Sequence, residues 1–115
     1  MDLELRYGSL FVGTISDAIN HQETWLGQFR SCLARDGSAL EDRLANFISF
    51  CREWNDRLKK DGDADAREFD QFDDLLTSGQ WHTRDSAGTL VRICDAPVFF
   101  SGSDISWVCD DSNID

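Results

Sequence analysis

Apolar and polar side chains alternate from the start of the chain. Leu3, Leu5 and Tyr7 interleave with Asp2, Glu4 and Arg6, the period-2 pattern of a half-buried strand. Gly8-Ser9 marks a turn, and the apolar, β-branched run from Leu10 to Ile15 reads as the returning strand of a hairpin. Residues 16–37 are polar and mixed. Trp25 and Phe29 within them are expected to anchor a long loop or short helix onto the core. The period then changes. Apolar residues at 40, 44, 47, 48, 51, 54 and 58 fit a 3.6-residue repeat and predict a helix from about Ser38 to Lys60. Ser38 with Glu41 three residues on forms a capping box, Arg57, Lys59 and Lys60 set cations against the negative end of the helix dipole, and Asp61-Gly62 stops it.

A second, shorter helix is predicted over 64–77, with Phe69, Phe72, Leu75 and Leu76 on one face and Arg67, Asp70 and Asp74 opposite. Gly79 fits its C-terminal end. Beyond it, Gln80–Arg84, Thr89–Cys94, Ala96–Phe100 and Ile105–Cys109 read as short strands. They are broken at Ser86-Ala87-Gly88, at Asp95 and at Ser101-Gly102-Ser103-Asp104. Strands, then helices, then strands, with no βαβ alternation, imply an α+β fold. The expected architecture is an antiparallel sheet of about four to six strands with two helices packed on one face, in a single domain over residues 1–115. The opposite sheet face is then open to a partner.

Composition agrees with a packed domain and excludes several classes. Apolar residues make up 41% of the 115 and aromatics 11%, with one proline, which rules out collagen-like, low-complexity and membrane-spanning chains. Charge changes the picture more. Twenty-two acids against eleven bases give a net charge of -11. Residues 1–60 carry nine acids and eight bases, whereas residues 61–115 carry thirteen acids and three bases, Arg67, Arg84 and Arg92. Phosphate binding requires Lys and Arg to displace counterions, so neither direct nucleic-acid binding nor an anionic membrane surface is expected. A one-signed field suits a basic protein partner, whose encounter it speeds by steering; the plainer reading is a solvated surface that maintains solubility.

Met1-Asp2-Leu3-Glu4 lacks the basic and apolar regions of a signal peptide, so a cytoplasmic location with reduced thiols is expected for Cys32, Cys51, Cys94 and Cys109. They form no CxxC pair, and only two histidines accompany them, which argues against structural zinc. Cys51 and Cys109 fall on apolar periodicities, as small core residues do. Of the histidines, His21 stands in no recognisable motif. His82 has Asp85 three residues on, but both flank a predicted turn where polar residues belong. The glycines form neither GxGxxG nor a Walker loop. Asp61-Gly62-Asp63-Ala64-Asp65 resembles the start of an EF-hand loop, yet its sixth position is Ala66 and its twelfth Phe72, so these acids read as a helix N-cap. No catalytic, cofactor or metal site is expected, and the chain is read as a non-enzyme. Trp54 and Trp107 fall on apolar faces. Trp25 and Trp81 stand beside predicted loops in polar company, where packing under a loop is the plainer reading and Trp81 is kept as a candidate partner anchor.

The run Leu10-Phe11-Val12-Gly13-Thr14-Ile15, followed by Trp25-Leu26-Gly27-Gln28-Phe29, resembles small acidic bacterial proteins with a G-x-I strand and a W-x-G-x-F element. Trp54 and Trp107 match that pattern's Trp-bearing helix and closing strands, while Thr24 stands where it commonly has Pro. In size, acidity and build these proteins are similar to immunity proteins of bacterial toxin systems, which neutralise a cognate toxin by occluding its active site. The resemblance implies that Gly13, Trp25, Gly27 and Phe29 are architectural. The expected partner is therefore a cognate toxin with a basic surface, met by Asp61, Asp63, Asp65, Asp70, Asp73 and Asp74 with Trp81. The alternative is a stand-alone scaffold or adaptor that forms a homodimer through an open sheet edge or face.

Overall fold

The computed structural model describes residues 2–33, 38–62, 65–100 and 102–109. Seven antiparallel strands form one curled sheet: β1 (Leu3–Tyr7), β2 (Leu10–His21), β3 (Thr24–Ser31), β4 (Trp81–Arg84), β5 (Leu90–Arg92), β6 (Val98–Phe99) and β7 (Asp104–Val108), in the order β5-β4-β1-β2-β3-β7-β6. Two α-helices, α1 (Ala39–Asp61) and α2 (Asp73–Thr77), and a 3₁₀ helix (Ala66–Phe72) lie between β3 and β4. The fold is α+β, with more strands than the four to six expected.

The extra strand comes from residues 16–37. β2 does not stop at Ile15 but runs on to His21, turns at Gln22-Glu23 and pairs back along β3, with His21 opposite Thr24 and Ile15 opposite Phe29. Alternation is hidden there for two reasons. A bulge sets Asp17 and Ala18 against Gly27, and Asp17 takes the left-handed conformation (φ 54°), which Asp tolerates better than most side chains. The inward positions are also small: a Cβ on Gly27 would lie 2.7 Å from Ile15 Cγ2.

Register places Leu3, Ile15 and Phe29 on one face, together with Leu5, Gly13 and Thr83, Tyr7 and Trp81, and Gly27, Ile105 and Phe99. This face is concave and α1 packs on it. Phe47 meets Trp81 and Phe99 at centroid distances of 6.0 and 6.2 Å, and Leu44, Ile48 and Cys51 are buried beside it. Because the sheet curls, its two flanks meet. Ile93 bridges Cys109, and the Cys94 N–H donates to the Val108 carbonyl at 2.7 Å, so the chain leaving β5 crosses from β4 to β7 and closes a seam.

α1 has the predicted capping box: the Glu41 N–H donates to Ser38 Oγ, the Ser38 N–H to Glu41 Oε1, and left-handed Gly62 ends the helix. Trp54, expected in the core, is half-buried at the rim, where its indole N–H donates to the Asp65 carbonyl. The second predicted helix is a 3₁₀ helix followed by one turn of α2. Phe69, Phe72 and Leu75 recur every third residue, the spacing that eclipses side chains in a 3₁₀ helix. Phe69 and Phe72 pack against Phe50 at 5.0 and 5.2 Å.

Burial also fixes thiol chemistry. Cys51 lies under the sheet, and burial pushes its thiol up to about 12. The unfolded thiol ionises near 9, so between pH 9 and 12 deprotonation favours the unfolded chain and stability falls as pH rises. A pulse of iodoacetamide at pH 8 should label the exposed Cys32 and Cys94 in the native protein and Cys51 only after denaturation. Early labelling of Cys51, read by peptide mapping, would contradict this packing.

Candidate functional site

The acidic stretch divides when its side chains are placed. Asp61 is the last residue of α1, and Asp63 lies outside the described residues. Asp65 caps the 3₁₀ helix by accepting from the Arg67 N–H at 2.9 Å. The Arg67 guanidinium, 2.8 Å from Asp65 Oδ2, holds this carboxyl below the usual range. Asp74 is bound to Arg43 of α1, whose Nε donates to Asp74 Oδ2 at 3.1 Å and whose Nη2 donates to the Gln71 carbonyl at 2.7 Å. The same guanidinium lies 5.1 Å above the Phe72 ring. Its hydrogen bonds hold the Asp74 carboxyl low, so the contact is present above the usual carboxylate pKa and is lost as pH falls through the lowered one. Glu68 pairs with Arg57 at 2.9 Å.

Three of these acids therefore face cations that tie the segment to itself and to α1. Asp70 and Asp73 are exposed, and no described cation pairs with either. Trp81 is not a surface anchor. It is fully buried, its indole N–H donates to the Leu75 carbonyl at 3.0 Å, and Tyr7 packs edge-on against it at 5.1 Å. Its polar sequence neighbours belong to a strand with one solvated face.

The convex face of β2, β3, β7 and β6 is a second candidate: the sequence left the sheet face opposite the helices open to a partner but named none of its residues. Register lines up Ile19, Leu26, Ser106 and Val98 across four strands, and Val108 follows on β7. Ile19 is 60% exposed, Leu26 40%, and Val98 and Val108 41% each. A depression of about 430 Å³ lies along this row, lined by Ile19, Leu26 and Phe100 with Asp17, Gln28 and Asp104. Gln28 Nε2 donates to Asp104 Oδ1 at 2.7 Å, and Ser103 Oγ donates to Gln28 Oε1 at 2.8 Å, which fixes the polar border. Asp17 and Asp104 are exposed. Only a strand assignment for residues 16–31 could have assembled this row from the sequence.

Elsewhere, polar groups serve local structure. His82 Nδ1 lies 3.0 Å from the Gln80 carbonyl, and Asp85 Oδ1 accepts the Ala87 and Thr89 N–H groups, so neither is oriented by the other. His21 is exposed at the end of β2. Among the described residues no three His, Cys, Asp or Glu are grouped to hold a metal ion, and no helix is long and apolar enough to cross a membrane. Comparison with protein-family models, with curated proteins and with solved structures finds no match for this chain.

Proposed function

We propose that the protein is a non-enzymatic, cytoplasmic binding protein of the immunity type, which neutralises a basic toxin by covering its active-site cleft. The observation that carries this reading is the convex face, covered by no described element, where four exposed apolar side chains on adjacent strands are bordered by Asp17 and Asp104. Apolar rows of this kind supply buried contact area, and carboxylates at the border select a partner with Lys or Arg at matching positions. Asp70 and Asp73, unpaired on the helical segment, add to the net charge of -11 that steers a cationic partner. A homodimer through the same face is disfavoured, because a two-fold contact would bring together two acidic borders on chains of like charge.

Affinity capture of the tagged protein from its source cells at low salt tests the reading. The expected result is a basic protein held at one-to-one stoichiometry, whose own activity falls to zero when one equivalent of this chain is added. The variant L26D/V98D, folded by circular dichroism, should lose at least about thirtyfold in affinity. D70K/D73K should keep the contact but bind more slowly, with less dependence on salt. Retention of the partner by L26D/V98D at wild-type affinity would remove the convex face from the account. Recovery of a protein that is not basic would remove the electrostatic part.

A further inference from the structure

The end of the curled sheet away from α1 holds a cavity of about 150 Å³, separate from the convex face. Its walls are inward-facing side chains: Leu3 from β1, Trp25 from β3, Thr83 from β4, Val91 from β5 and Trp107 from β7. Trp25 and Trp107 are stacked, with centroids 6.0 Å apart and ring planes 12° from parallel, so one wall is a broad aromatic surface. Two polar features stand out. Thr83 is only 4% exposed, and its hydroxyl, which makes no hydrogen bond to any described residue, keeps its remaining accessible surface in this cavity. Asp85, at the border, spends Oδ1 on the turn amides of Ala87 and Thr89, and no described group donates to Oδ2.

A hydroxyl that lines a largely apolar cavity and has no protein partner is a free donor and acceptor that a bound polar group can engage. Mouths of small barrels are recurrent ligand sites, and cavities of this volume admit a single six-membered ring. We propose that this end of the sheet is a small-molecule site for a monocyclic aromatic compound carrying one hydroxyl or amino group. The ring fills the space beside the stacked indoles. The polar substituent meets the Thr83 hydroxyl, with Asp85 favouring a ligand that donates. The site is independent of the convex face and of any protein partner.

Phenol and benzene are the probes, and indole N–H resonances of the full chain are the readout. Phenol should shift the Trp25 and Trp107 signals saturably, with a Kd on the order of 0.1–1 mM for a ligand of this size, and leave Trp54 and Trp81 unmoved. Benzene should bind more weakly. Thr83→Val, which keeps the side-chain shape, should remove phenol's advantage over benzene, a change of roughly 2- to 10-fold. Val91→Phe alters a side chain already 37% exposed, so the fold is retained, and it should abolish both interactions by filling the cavity. Absence of saturable shifts up to 10-fold above that Kd range would overturn the proposal. So would equal shifts at Trp54 and Trp81, or binding that survives Val91→Phe.

Discussion

Replacing Trp81 with Ala should cost about 3–5 kcal/mol of folding stability, the range for deleting a large buried aromatic. Trp81 is fully buried where β4, α1 and the end of α2 meet, against Tyr7, Phe47 and Phe99. Truncation leaves a cavity among these rings and strips the Leu75 carbonyl of its donor, so two penalties fall on one site. A domain of this size is held by about 5–15 kcal/mol, so the variant should melt roughly 10–25 °C lower. Leu90→Ala, at a side chain 61% exposed, should stay within about 0.5 kcal/mol of wild type. Urea denaturation of the three proteins decides the matter. A Trp81→Ala variant as stable as Leu90→Ala would mean that this indole is not in the core.

Gly13→Ala should be the second most damaging change, costing about 1–3 kcal/mol or more through overpacking. Gly13 lies opposite Leu5 and Ser31, where the curl of the sheet brings β3 close. A Cβ there would lie 2.3 Å from the Arg30 carbonyl oxygen and 2.6 Å from the Phe29 ring. The ring could swing aside, but the carbonyl belongs to the paired strand and moves only if the strand does. Gly62→Ala is the matching control. Gly62 is left-handed (φ 66°) with nothing within 4 Å of the added carbon, so its cost is conformational alone, about 1–2 kcal/mol. If Gly13→Ala proved the milder of the two, the close approach of β2 and β3 would be wrong.

Much of the fold was legible where one physical signal dominates. The first hairpin follows from strict alternation, and α1 from a stripe through Leu44, Phe47, Ile48 and Cys51 with a capping box at its start. Legibility failed where signals cancel. At the bulge the inward positions of β2 and β3 are Ala18 and Gly27, small because the sheet curls there, so apolar alternation is interrupted in the middle of the second hairpin. The three-residue spacing of Phe69, Phe72 and Leu75 was present in the sequence but satisfies an α-helical face nearly as well as a 3₁₀ one.

The candidate site was less accessible for a related reason. Charge is counted along a chain, whereas pairing is decided in space. Asp65 and Asp74 look like free acids in sequence, yet Arg67 and Arg43 occupy them, the latter from 31 residues away. Trp81 looks exposed because its neighbours are polar, but a strand alternates, and its inward positions, Trp81 and Thr83, are buried. The row of Ile19, Leu26 and Val98 depends on the register of β3 against β7, where Leu26 pairs with Ser106 80 positions away, which no local pattern carries.

The most direct test of the proposed contact is amide hydrogen exchange of this protein, free and bound to the captured basic partner. Protection should appear along residues 17–20, 24–28 and 104–108, with the 3₁₀ helix and α2 unchanged. Protection confined to residues 65–78, with the convex strands exchanging as in the free protein, would contradict it.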